Sequence, residues 1–158
     1  MVDAALREQL IEFLDGKGAH ASTLDALADF PASMYATRPA GSPHNAWQLL
    51  EHIRITLNDL LDFCSNKTYQ APKWPDAYWP SQDTPPAPQA WGQSLDALRR
   101  DLQAFQALLR DPGTDLHSKI PWGDGQTVLH EALLAIDHTS YHIGQFVLLR
   151  KQLSAWNG

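Results

Sequence analysis

His138 and His142 stand four residues apart in Asp137-His138-Thr139-Ser140-Tyr141-His142-Ile143-Gly144-Gln145, inside a long apolar stretch whose periodicity predicts a helix. Side chains at i and i+4 of a helix are neighbours, with Cβ atoms about 5–6 Å apart. Two imidazoles so placed can converge on one metal ion, whose bonds to nitrogen are about 2 Å long. A third imidazole, His52, lies in another strongly helical segment, Ala46-Trp47-Gln48-Leu49-Leu50-Glu51-His52-Ile53. If the two helices pack face to face, three histidines meet in the core and leave coordination positions open, as a reactive metal site requires.

Turning about 100° per residue places the side chains around each helix. On the last helix, Glu131, Leu134, Ala135, His138, Tyr141, His142, Gln145, Phe146 and Leu149 share one mainly apolar face that should point inward. On the earlier helix His52 groups with Leu49, Ile53, Thr56, Leu60 and Phe63. Burying three unpartnered imidazoles would cost several kcal/mol, and a shared metal removes that cost. Core histidines bonded to backbone or side-chain groups are the competing reading of the same residues. Glu131, Tyr141 and Gln145 share the inward face and are candidate groups around the ligands, although Glu131 is about 10 Å from His138 along the axis. Glu51 is expected to be a solvated charge, and Cys64 a small buried hydrophobe with no cation nearby to activate it. His20, His44, His117 and His130 are expected at the surface or in caps.

Four main helices must position these residues, at about 4–15, 45–65, 89–110 and 126–153, with a shorter piece over 22–30 opened by Ser22 and Asp25. Gly16-Lys17-Gly18 ends the first. Between the second and third lie about twenty residues holding Pro72, Pro75, Pro80, Pro85, Pro86 and Pro88 together with Tyr69, Trp74, Tyr78 and Trp79. Large aromatics gain most from burial, so this stretch is expected to be an ordered crossover lying along the bundle and over one end of the pocket. A long connection lets the second and third helices run parallel. No period-2 run is long enough for a strand, which makes the class all-α. The last helix carries a second apolar strip, Leu129, Leu133, Ile136 and Val147 with Gly144 near it, which suits either a central position or a homodimer.

The 158 residues suit a single domain over 1–158, and a composition of 44% hydrophobic and 19% charged residues is that of a soluble globular protein. A net charge of −6 with no basic cluster argues against a grip on nucleic acid. One cysteine excludes an intrachain disulfide and suits a reducing cytoplasm. No early segment reads as a secretory signal, and no apolar run approaches the ~20 residues that span a bilayer.

Trp47-Gln48-Leu49-Leu50-Glu51-His52-Ile53, and Gly123-Asp124-Gly125-Gln126-Thr127 leading to the His138/His142 segment, resemble the DinB-like superfamily of four-helix-bundle metalloproteins. The name denotes a DNA-damage-inducible protein, not a polymerase. The crossover Trp74-Pro75-Asp76-Ala77-Tyr78-Trp79-Pro80 is similar to that of an uncharacterised subgroup. The resemblance implies an up-down-down-up bundle with the long crossover between the second and third helices. It also implies a divalent ion, often zinc or nickel, held by His52, His138 and His142. Some members are bacillithiol transferases or mycothiol-dependent maleylpyruvate isomerases, so a low-molecular-weight thiol cofactor enters the expectations. Because the first helix is broken at Gly16, pocket residues that it supplies elsewhere cannot be transferred by position. The function expected is a metal-dependent enzyme acting on a small molecule, of thiol S-transferase or hydrolase type. A non-catalytic metal-binding stress-response or sensor protein is the alternative, and a helical interaction domain without metal the third.

Overall fold

A computed structural model describes residues 2–156. Five α-helices make up the fold, α1 (Val2–Leu14), α2 (Thr23–Leu27), α3 (Ala46–Ser65), α4 (Ala90–Arg110) and α5 (Val128–Gln152), with single 3-10 turns at Ala32–Met34 and Asp76–Tyr78. Among the described residues no strand forms; Lys119 and Thr127 make an isolated antiparallel bridge. No described helix is long and apolar enough to cross a membrane.

Local chemistry sets the ends of these elements. Asn45 opens α3 with a reciprocal capping box, its side chain accepting from the Gln48 amide at 2.9 Å while Gln48 Oε1 accepts from the Asn45 amide at 3.1 Å. Ser22 caps α2 by accepting from the Asp25 amide at 3.2 Å, and its hydroxyl donates to the Asp25 carboxylate. Helix α2 stops at Leu27, short of the Phe30 expected from the sequence, because Ala28 turns to an extended conformation at ψ 152° and Asp29 follows at φ 52°. Gly16, at φ 75°, ends α1 in the left-handed region that glycine enters freely.

Partner residues give the helix directions. Glu51 lies beside Ser94 and Asn58 bonds Asp101, so neighbours advance together along α3 and α4, which run parallel. Leu49 lies beside Gln145 and Leu149 while Phe63 lies beside Glu131 and Leu134, so α5 runs antiparallel to α3. Arg7 reaches the Leu109 carbonyl and Asp15 meets Gln106, so α1 runs antiparallel to α4. Leu14, Leu50, Ile53, Leu57, Leu98, Phe105 and Phe146 fill the space between them. Each such side chain contributes about 1.5–3 kcal/mol by leaving water.

The crossover is ordered, as its aromatics predict. Tyr69 and Tyr78 donate their hydroxyls to the two oxygens of Asp59 on α3, at 2.8 and 2.7 Å. Farther along, the Asp83 carbonyl accepts from Asn45 at 2.7 Å and its carboxylate accepts from Gln48 at 2.7 Å. Trp74 departs from the expectation of burial and is 70% exposed. At the far end of α5 the buried Arg150 donates to the carbonyls of Ala26, Ala28 and Ala155, tying α2 and the C-terminal turn to the bundle.

Two expected faces shift. The buried arc of α5 is centred on Ala135, Thr139 and Phe146, with His138 and His142 towards its edge. Tyr141 and Leu134, expected to point inward, therefore turn outward, Tyr141 being 64% exposed. Leu129, Ile136 and Val147 pack half-buried against the core, while Leu133 is exposed.

Asn45 both caps α3 and holds the Asp83 carbonyl, so Asn45→Ala should lower stability by about 1–2 kcal/mol, the usual cost of losing an N-cap. Urea denaturation of the two proteins checks this, and an unchanged midpoint would contradict it.

Candidate metal centre

Helix α3 supplies His52 and α5 supplies His138 and His142, and the antiparallel packing of these helices brings the three rings together. His52 and His142 are 3% and 8% exposed, and His138 is half-buried. The ring centroids of His138 and His142 lie 4.8 and 4.5 Å from that of His52 and 4.5 Å from each other, all edge to face. One ligand atom from each residue lies within 4.8 Å of the others, a grouping that could hold a metal ion. Nε2 of His52 and Nε2 of His138 are 3.0 Å apart. Two nitrogens on one tetrahedral zinc ion, each about 2.0–2.1 Å from it, are about 3.3 Å apart, so the spacing fits a shared cation.

Second partners decide which nitrogens are free. His52 Nδ1 lies 2.7 Å from the carbonyl of Tyr78, which can only accept, so Nδ1 carries the proton and Nε2 keeps its lone pair. His142 Nδ1 lies 2.8 Å from Gln145 Oε1 and donates to it, leaving His142 Nε2 as an acceptor. These bonds to the distal nitrogen are what orient histidines around metals. Trp79 of the crossover stacks on His52 at 3.9 Å with the rings 1° from parallel, and His44 stacks on Trp79 at 4.0 Å.

Burial disfavours the charged form of all three rings. Burial holds His138 down to about 3, helped by repulsion from His142 and His52. Burial also lowers His52, against the bond to the Tyr78 carbonyl, and lowers His142 against its bond to Gln145. Neutral imidazole is the form that binds metals.

Other expected residues fall differently. Gln145 adjoins the cluster by accepting from His142. Tyr141 touches the His142 ring, 5.0 Å between centroids, from the solvent side. Glu131 is buried but accepts from His130 Nδ1 at 2.8 Å and faces the Phe63 and Trp122 end of the bundle, away from the three rings. Glu51, expected in solvent, is buried and paired with Arg54 through two bonds of 2.8 Å. Burial raises its pKa, but the bonds from Arg54 and Ser94 outweigh this and leave it below the usual range. The reason is that α3 is covered by α4 as well as by α5. Cys64 is buried and its thiol is pushed up to about 12 by desolvation, then by Glu131. His117 and His130 are exposed and paired with Asp3 and Glu131, as surface residues.

Three neighbours escaped the sequence reading. The Tyr78 carbonyl is backbone and carries no sequence signal. Trp79 and His44 were visible only as a crossover aromatic and a residue preceding a helix. Thr56, one turn beyond His52, has a buried hydroxyl with no protein partner among the described residues, as does Nδ1 of His44. His44 and Gln145 line a cleft of about 280 Å³ with Leu49, Leu148 and Leu149. A larger cleft of about 600 Å³, between α1 and Arg110, lies apart from the histidines.

A family model described as the DinB superfamily matches residues 17–146. No match was found among curated proteins or among solved structures.

The depressed histidines fix the sign of a pH effect. The unfolded chain protonates its histidines near the usual value of about 6.5, whereas folded His138 resists protonation down to about 3. Between those values the unfolded state binds more protons, so stability falls as pH drops. Metal-stripped protein should show a falling denaturation midpoint below about pH 6.5, with a shallower slope in His138→Phe. Equal slopes would contradict the burial of a neutral ring.

Proposed function

The chain belongs to the DinB superfamily, and we propose that its His52, His138 and His142 hold one divalent cation for a reaction on a small molecule. One observation carries this reading. The imidazoles of two antiparallel helices converge, and two of them have the outer nitrogen already engaged by Tyr78 and Gln145. Imidazole donors suit zinc or nickel, the ions we assign. A cation held by three neutral imidazoles supplies Lewis acidity and lowers the pKa of a water or thiol bound to it.

The chain's own residues have separate tasks. Tyr78 and Trp79 hold the His52 ring and exclude water from one side of it. Gln145 accepts from His142 Nδ1 and so raises the basicity of the ring. The cleft lined by His44, Leu49, Gln145 and Leu148 is where we place the small molecule. Thr56 offers a buried hydroxyl on the same face of α3 as His52. The reaction we propose is transfer of a low-molecular-weight thiol to an electrophile, or hydrolysis of an ester-like bond. A reducing cytoplasm is the compartment we assign, on the strength of the single buried cysteine.

We also propose a homodimer through the outer face of α5. Leu134, Tyr141 and Leu148 are exposed there at seven-residue intervals, and a Cβ built on Gly144 between them meets nothing within 4 Å. An apolar stripe with a gap beside an exposed ring suits a second copy packed helix against helix.

Protein purified without a histidine tag should contain zinc or nickel near one ion per chain, and His138→Ala should abolish it. Retained stoichiometry would sink the three-histidine reading. Metal-loaded protein offered a panel of thiols, electrophiles and esters should turn one combination over, with the activity lost in His142→Ala. Inactivity across the panel would favour a metal-binding role without catalysis. Light scattering should give twice the chain mass for the native protein and the monomer mass for Leu134→Glu; a native monomer would refute the dimer.

A further inference from the structure

We infer that Asp59 is a positioning residue for His52, acting at a distance through Tyr78 of the crossover. Its functional weight rests on the three-histidine reading above.

Asp59 lies seven residues beyond His52, nearly two turns along the same face of α3 and about 10 Å away. Among the described residues it makes no hydrogen bond to His52, His138 or His142. What it does hold is Tyr78. The Tyr78 hydroxyl donates to Asp59 Oδ2 at 2.7 Å, while the carbonyl of the same residue accepts from His52 Nδ1 at 2.7 Å. One residue thus spans the two turns of α3, anchored at one end by its side chain and touching the imidazole at the other by its backbone. Trp79, next in the chain, is the ring stacked on His52.

Asp59 is suited to this task because a carboxylate only accepts and has two oxygens. Its second oxygen takes the Tyr69 hydroxyl at 2.8 Å, so both phenols serve as donors. Burial and Asp59 push Tyr78 up to about 12, and both effects raise Tyr69 as well, so the two hydroxyls keep their protons. Residues 73–77, just before Tyr78, are exposed and add little burial to hold the turn in place. On the side before the carbonyl the hydroxyl–carboxylate bond is the restraint, and on the side after it the stacking of Trp79 on His52. Loss of that bond frees the carbonyl to move and lets His52 place its proton on Nε2, removing the lone pair that faces His138 and His142.

Tyr78→Phe and Asp59→Ala break the latch from opposite ends, and Tyr69→Phe is a control that leaves the Tyr78 bond intact. Ring ¹⁵N NMR of metal-stripped protein should show His52 in the Nδ1–H form in the native chain and in Tyr69→Phe. That form should be lost or mixed in Tyr78→Phe and Asp59→Ala. Cobalt(II) titration should find binding weakened on the order of 10–100-fold in the latter two, the usual loss when a ligand's supporting partner is removed. The double variant should be no weaker than either single one. The proposal is overturned if His52 keeps the Nδ1–H form in folded Tyr78→Phe, or if Tyr69→Phe weakens cobalt as much as Tyr78→Phe does. If the native chain takes up no cobalt, the metal reading fails by itself, and the NMR comparison still decides the latch.

Discussion

Three imidazoles buried edge to edge must stay uncharged, each turning the right nitrogen to its neighbours. Much of the architecture around them serves that constraint. Protonation would place like charges a few ångströms apart in a poorly solvated space, and desolvation alone drives the rings toward neutrality. Neutrality is not sufficient, because each neutral ring must also choose which nitrogen bears its proton. The Tyr78 carbonyl makes that choice for His52, and Gln145 makes it for His142. Two rings thereby turn a lone pair to the cluster, and the His138 Nε2 proton shared with His52 Nε2 at 3.0 Å is the one a bound cation would replace.

Packing follows from the same requirement. The rings meet because α3 and α5 run antiparallel, and α3 must also run parallel to α4, with its glutamate, Glu51, buried against Ser94. Two parallel consecutive helices need a long return path. That path is the proline-rich crossover, and the chain uses it to build part of the site instead of leaving it loose. Prolines remove backbone donors that would otherwise need partners. The aromatic residues supply the packing and, through Asp59, the anchor.

Much of the site could be read from residue types and spacing. The i, i+4 histidines, the third histidine on another helix and the helix limits were legible because helical periodicity is local. The resemblance to the DinB superfamily agreed with the same three residues, and the family match covers 17–146. Misreadings arose where the direction of a face mattered. Tyr141 and Leu134 were placed inward because the arc was centred on the histidines, whereas its true centre lies nearer Thr139. Glu51 looked solvated because a single helix cannot reveal that a second neighbour covers its side. Glu131, placed on the inward face, is buried as expected, and its partner there is His130.

Sequence alone determined the all-helical class, the helix limits within a few residues, the inventory of imidazoles and an ordered crossover, because each depends on local periodicity, capping or composition. Tertiary structure decided which nitrogen of His52 and of His142 is free, that Trp79 covers His52, that Glu51 is buried and that Tyr141 faces solvent. Those outcomes depend on contacts between residues far apart in the chain. The deciding contact at His52 is with a main-chain carbonyl, a group that every residue carries and no sequence pattern distinguishes.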